Sequence, residues 1–191
     1  TTTKMYLPEK DGVLDGTAKE IKEKLERDGF AAVGSVFSEE KMGSLPKAVF
    51  DEVFSFADVV LVEADGSKRM PLKMPRQDEP VLPEECDFLV TVAGLSALEQ
   101  PWEQACHSFA LVSSMFSGKT VTEGDIFPIL QAGYGTLWDK IQGCVFLNQA
   151  EAVGWDRAER IAADFSVPCL WGSLRQKQYH RKEGDSHERS I

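Results

Sequence analysis

Four short stretches of unbroken apolar residues constrain this chain most: "VVLV" (Val59–Val62), "FLVTVAG" (Phe88–Gly94), "CVFLN" (Cys144–Asn148) and "VPCLWG" (Val167–Gly172). None alternates with polar residues, so each reads as a strand covered on both faces, the habit of parallel sheets. Helical patterns fill the gaps, notably "PWEQACHSFALVSSMF" and "GWDRAERIAADF". Strand and helix in repetition predict a three-layer α/β fold on a mostly parallel sheet with right-handed crossovers. In such sheets ligands gather beyond the carboxyl ends of the strands, which says where to look for chemistry.

The N-terminal third continues the alternation. "TAKEIKEKLERDG" predicts a helix: Thr17 and Glu20 have capping-box spacing, Ile21 and Leu25 share a face, and Gly29 supplies the stop. "FAAVGSVF" reads as a strand, and "SLPKAVFDEVFSF" as a helix with Ser44 as N-cap. The reading is one α/β domain over 1–174, followed by a polar, loose tail over 175–191.

Composition narrows the function classes. A net charge of −10 argues against general nucleic-acid binding, which draws on Lys and Arg along the phosphate backbone. No apolar run approaches the ~20 residues of a membrane span and no signal peptide opens the chain, so a cytoplasmic protein is expected. Cys86, Cys106, Cys144 and Cys169 are widely spaced, without a Cys-x-x-Cys pair. Neither a zinc site nor a disulfide framework is expected.

"SGKT" (Ser117–Thr120) has the ending of a phosphate-binding loop, but Ser113 stands where the first glycine belongs. Ala105, Phe109, Val112 and Phe116 recur at helical spacing before it, so it follows a helix rather than a strand. Gly118 then reads as a helix C-cap.

The stretch "DVVLVEADGSKRMPLKMPRQDEPVLP" carries more. An acid at the tip of a buried strand is how nucleotide-hydrolysing folds hold Mg²⁺ or position water, and Glu63 and Asp65 stand there. Lys68, Arg69, Lys73 and Arg76 follow with no acid among them, a basic cluster in an acidic chain. Prolines at 71, 75, 80 and 83 stiffen the segment. A turn with solubilising charges is the plain alternative.

At these residues the chain resembles the selenium-dependent hydroxylase accessory proteins of the YqeC type, over most of its length to about Leu174. The match is most specific at "VEADGSK", "PLKMP" and "EPVLP", with weaker agreement at Gly94, Leu95, His107 and Asn148. The resemblance implies a P-loop NTPase-like fold, an association with maturation of molybdenum hydroxylases, and Mg²⁺ with ATP or GTP as cofactors. It makes Glu63 and Asp65 the catalytic, Mg²⁺-side carboxylates. Ser67, Lys68 and Lys73 would face phosphate or another anion, Thr1, Thr2 and Thr3 would lie near the phosphates, and Asn148 would lie on the same working edge. Family members carry a Gly-Lys-Thr loop upstream of the threonine run, whereas this chain begins at that run, so the first βα unit is expected to be missing. "NQAE" replaces the Asn-Lys-x-Asp of relatives, so base selection does not carry over.

Two functions follow. One is a nucleotide-dependent accessory factor; the other is a non-catalytic module that captures a partner hydroxylase or its anionic cofactor.

Overall fold

A computed structural model describes residues 1–182. The chain read as one α/β domain over 1–174 divides into two compact units. The first holds Thr1–Gly66 and Asp78–Glu84, the second Ser67–Gln77 and Glu85 onward.

In the first unit, β1 (Met5–Tyr6), β2 (Gly12–Leu14), β3 (Ala32–Val36) and β4 (Lys41–Gly43) form a mixed sheet in the order β1-β4-β3-β2. β2 and β3 are parallel, joined by α1 (Ala18–Asp28), while the β3–β4 and β4–β1 pairs are antiparallel. Helix α1 has the expected ends. Thr17 and Glu20 make a reciprocal capping box, and Gly29 closes the helix in the left-handed conformation. Ala18 and Ile21 pack with Val53 of α2 (Lys47–Phe54) in a small core. The expected cap of α2 is corrected: Pro46, not Ser44, precedes its first turn, and no side chain caps it. The Pro46 carbonyl accepts from the Val49 and Phe50 N–H groups, both at 3.0 Å, and so opens the helix.

The largest departure in this unit is Val59–Val62, which forms no strand. An apolar run becomes a strand only when a neighbour accepts its ladder, and here the backbone bonds fall just beyond the run, at Glu63 and Ala64. Val59 and Leu61 are left 75% and 87% exposed.

In the second unit the other three runs are strands: β6 (Leu89–Gly94), β8 (Gly143–Asn148) and β9 (Cys169–Ser173), all parallel. A fourth strand, β10 (Gln178–Arg181), pairs antiparallel with β9, so the sheet runs β10-β9-β8-β6. That strand corrects the expectation of a loose tail from 175; residues 183–191 lie outside the described residues. Ala93, Val145, Leu147, Cys169 and Trp171 share one sheet face and pack on α4 (Glu123–Trp138) and α5 (Trp155–Ala163) through Ile126, Ile129, Leu130 and Ile161. Val90 and Val92 of the opposite face are exposed, and Phe146 and Leu170 are only half-buried. The three-layer expectation is therefore corrected for this sheet, whose helices lie on one side.

The helix expected over 101–116 is also corrected. It lasts one turn, α3 (Trp102–Ala105), then yields to β7 (Cys106–His107), which pairs in parallel with β5 (Leu72–Lys73), and to 3₁₀ turns. The helical spacing of its apolar residues reflects instead an aromatic cluster. Trp102 stacks on Phe109, with ring centroids 4.6 Å apart, and Phe116 closes on both rings. Gly118 accordingly caps no helix, and Thr120 bridges to Pro101.

Candidate functional site

The threonine run and Glu63 meet at one corner of the first unit. The Thr2 N–H donates to the Glu63 carbonyl at 3.0 Å, and the Thr1 hydroxyl donates to the same oxygen at 3.0 Å. The Thr2 hydroxyl donates to the Val81 carbonyl at 2.6 Å, while the Val81 N–H donates to the Ala64 carbonyl at 3.0 Å. The extended 63–64 backbone is thus held from both sides. The Thr3 N–H donates to the Thr1 hydroxyl at 3.1 Å, which folds the run back on itself.

A Cβ built at Gly66 would lie 3.4 Å from Glu63 Oε1 and 3.8 Å from Thr3 Oγ1, both ordinary contact distances, so carboxylate and hydroxyl converge beside this glycine. Glu63 is exposed and Asp65 half-buried, with Asp65 Oδ1 out of reach of solvent. Carboxylate and hydroxyl oxygens are the hard donors that Mg²⁺ prefers, and Mg²⁺ usually takes one or two carboxylates together with phosphate oxygens. Glu63 Oε1 and Thr3 Oγ1 are donors of that kind. Among the described residues no cluster of three or more His, Cys, Asp or Glu could hold a metal.

In the second unit the basic segment starts with a turn. Lys68 and Arg69 both have positive φ, 53° and 65°, and the Met70 N–H donates to the Ser67 carbonyl at 3.0 Å. This is a type I′ geometry, which normally calls for Asn and Gly. Non-glycine residues there store about 1–2 kcal/mol each. The Ser67 hydroxyl donates to the Met70 carbonyl at 2.8 Å and so helps brace the turn. Lys68 and Arg69 project into solvent at its tip. Lys73, by contrast, is only 5% exposed. It stands opposite His107 in the β5–β7 ladder, which the Met74 N–H extends by donating to the His107 carbonyl at 2.9 Å.

The carboxyl ends of β6 and β8 form a third polar group. The Gly94 N–H donates to the Pro71 carbonyl at 2.8 Å, and a Cβ on Gly94 would lie 2.4 Å from Gln149 Oε1. That oxygen accepts from the Ser96 hydroxyl at 2.7 Å, and Gln149 itself has a left-handed backbone, φ 65°. Asn148 Oδ1 accepts the Leu174 N–H at 3.1 Å, tying the end of β8 to the loop after β9. The Gly94–Ser96–Gln149 arrangement is nearly invisible in the sequence, because it depends on strand register that brings Ser96 to Gln149, 53 residues away in the chain. Its only hint is a glycine closing a strand.

A hollow of about 510 Å³ near Asp11–Gly16 in the first unit is also charged, but several of its groups are already engaged. Lys24 binds Asp11 at 3.0 Å and Asp28 at 2.8 Å, and Glu20 belongs to the α1 cap.

Residues 1–110 match the family described as "YqeC protein". That span is more than half of the chain and includes the threonine corner, the basic turn, Lys73 and His107, stopping before Asn148. This chain belongs to the YqeC family. It is 30% identical over 95 residues to the uncharacterized protein YqeC of Escherichia coli (strain K12), a match covering 46% of this chain and 36% of that protein. No solved structure matches. No helix among the described residues is long and apolar enough to cross a membrane.

Proposed function

We propose that this YqeC-family chain handles Mg²⁺ and a nucleotide, ATP or GTP, within a P-loop NTPase-like plan, as a cytoplasmic accessory factor in maturation of selenium-dependent molybdenum hydroxylases. The observation that carries the nucleotide half is the convergence of Glu63 Oε1 and Thr3 Oγ1 over Gly66. The maturation half rests on family likeness.

When bound, Mg²⁺ neutralises phosphate oxygens and stabilises charge that develops on them. Glu63 and Asp65 would hold it, with a threonine hydroxyl supplying a neutral oxygen. The bonds from Thr1 and Thr2 to the Glu63 carbonyl keep the carboxylate-bearing backbone fixed, so that ordering it need not draw on binding energy. In the second unit Lys68, Lys73, Ser67 and Asn148 offer contacts to an anion. Gln149 and Glu151 leave the choice of base open.

A second reading, a non-catalytic module for a partner hydroxylase or its anionic cofactor, draws on one observation: Lys73 is buried beside His107. It needs no metal.

The test is Mn²⁺ binding followed by paramagnetic resonance, with Mn²⁺ standing in for Mg²⁺, in the presence of ATP or GTP. Wild type should form a ternary complex that Glu63→Gln and Asp65→Asn weaken at least tenfold. Equal Mn²⁺ affinity in all three proteins ends the nucleotide reading and favours the module.

A further inference from the structure

We propose that β10 is a docking edge for an acidic, extended segment of a partner protein, which adds to the sheet of the second unit as a further strand. The surface lies within residues 174–182 and uses neither the Glu63 corner nor Lys73.

β10 ends its sheet, and among the described residues it pairs with β9 alone. An edge strand turns alternate N–H and C=O groups outward, where they can template another chain. The strand is also held on both faces. Tyr179 lies against Phe146 with ring centroids 6.2 Å apart, while His180 lies 5.1 Å from the Trp155 ring and 5.9 Å from the Trp171 ring. No proline interrupts residues 174–182, and all of them are exposed. An incoming strand therefore meets ladder groups already in place, and the edge itself needs little ordering on binding.

Charge selects the partner. Arg175, Lys177, Arg181 and Lys182 stand in a stretch with no acid from 174 to 182, in a chain whose net charge is −10. Lys182 donates to the Ala163 carbonyl at 3.3 Å, whereas Arg175, Lys177 and Arg181 enter no ion pair among the described residues. Arg157 of the same unit, by contrast, binds both Glu99 and Glu123. Cations on an open edge keep strands of like charge away, β10 of a second copy included. The same cations attract an acidic strand. Arg181 pairs with Leu170 and shares the face of Tyr179, so acids at alternate positions of the added strand would meet it from one side. Single-stranded DNA satisfies this edge less well. Its phosphates accept hydrogen bonds but return none to the outward carbonyls, whereas a polypeptide backbone supplies both donor and acceptor.

A fluorescein-labelled peptide of alternating glutamate and valine, titrated with the full chain and followed by anisotropy, tests this. Wild type should bind it saturably and should bind the matching lysine–valine peptide at least tenfold more weakly. Lys177→Glu combined with Arg181→Glu should weaken binding of the acidic peptide at least tenfold. Both positions are exposed, so an unchanged melting temperature should accompany that loss. The same acidic peptide with its backbone amides N-methylated keeps its charge but cannot donate to a ladder, and it too should bind at least tenfold more weakly. Absence of saturable binding in wild type overturns the proposal, as does equal binding by the double variant. Equal binding of the N-methylated peptide, or of single-stranded DNA, overturns it as well, because the edge would then answer to charge alone.

Discussion

Gly94→Ala is the substitution whose consequence the structure specifies most fully. The backbone there, φ −91° and ψ 118°, accepts alanine without strain, so the outcome depends on contacts alone. The new methyl would meet Gln149 Oε1 at 2.4 Å, Pro71 Cβ at 2.9 Å and Pro71 Cα at 3.2 Å. Gln149 can swing away only by giving up the Ser96 hydroxyl, a loss of about 1 kcal/mol. Pro71 cannot swing, because its ring is rigid and its carbonyl holds the Gly94 N–H. Displacing it adds an overpacking penalty of about 1–3 kcal/mol. Stiffening of the unfolded chain returns roughly 0.5 kcal/mol. The net loss is about 1.5–3.5 kcal/mol, and β5, which follows Pro71, should shift with it. Gly124→Ala is the control in the same unit: nothing lies within 4 Å of its Cβ, so helix propensity should leave it unchanged or raise stability by up to ~1 kcal/mol. Urea unfolding followed by Trp fluorescence reads both, with two units requiring a check for separate transitions. Gly94→Ala within 0.5 kcal/mol of wild type would refute the packing argument.

Other expectations follow from single contacts. Thr91→Val removes the acceptor of the Trp138 indole N–H at 2.9 Å and should lower stability by about 1–3 kcal/mol in the same assay. Thr17→Ala breaks the α1 capping box and should reduce stability by about 1 kcal/mol, seen as an earlier urea midpoint. Arg27 and then Lys24 hold the Asp28 carboxyl down at about 2, against its usual 3.8. Its contribution is therefore present above pH 3.8 and lost as pH falls through about 2, and Asp28→Asn should flatten the stability profile in that window. Burial pushes the Cys106 thiol up to about 11 and the Cys169 thiol up to about 12. Both should resist alkylation at pH 8 until urea is added, and rapid labelling of either in the native protein would contradict their burial.

What could be read from the chain alone was what local chemistry decides. Thr17, Glu20 and Gly29 fixed α1 because caps are short-range, and the runs at 88–94, 144–148 and 167–172 were strands because the sheet they need is present around them. Val59–Val62 had the same composition and became no strand, since a ladder needs a partner that composition cannot reveal. The 101–116 segment kept its apolar spacing but not its helix: β7 pairs Cys106 and His107 with a strand more than 30 residues upstream, and that long-range bond overrode local periodicity. Within the candidate sites, the Thr1–Thr3 run and Glu63 do come together. The left-handed backbones of Lys68, Arg69 and Ser108 were illegible, as none carries the Gly or Asn that signals such a turn.

Calorimetric titration of ATP and GTP into the full chain, first with Mg²⁺ and then with EDTA, bears most directly on the threonine–Glu63 corner. Saturable heat that appears with Mg²⁺ and vanishes with EDTA, for at least one nucleotide, is the result expected if that corner holds the cation against phosphate. Identical titrations in the two buffers, with or without heat, would contradict it.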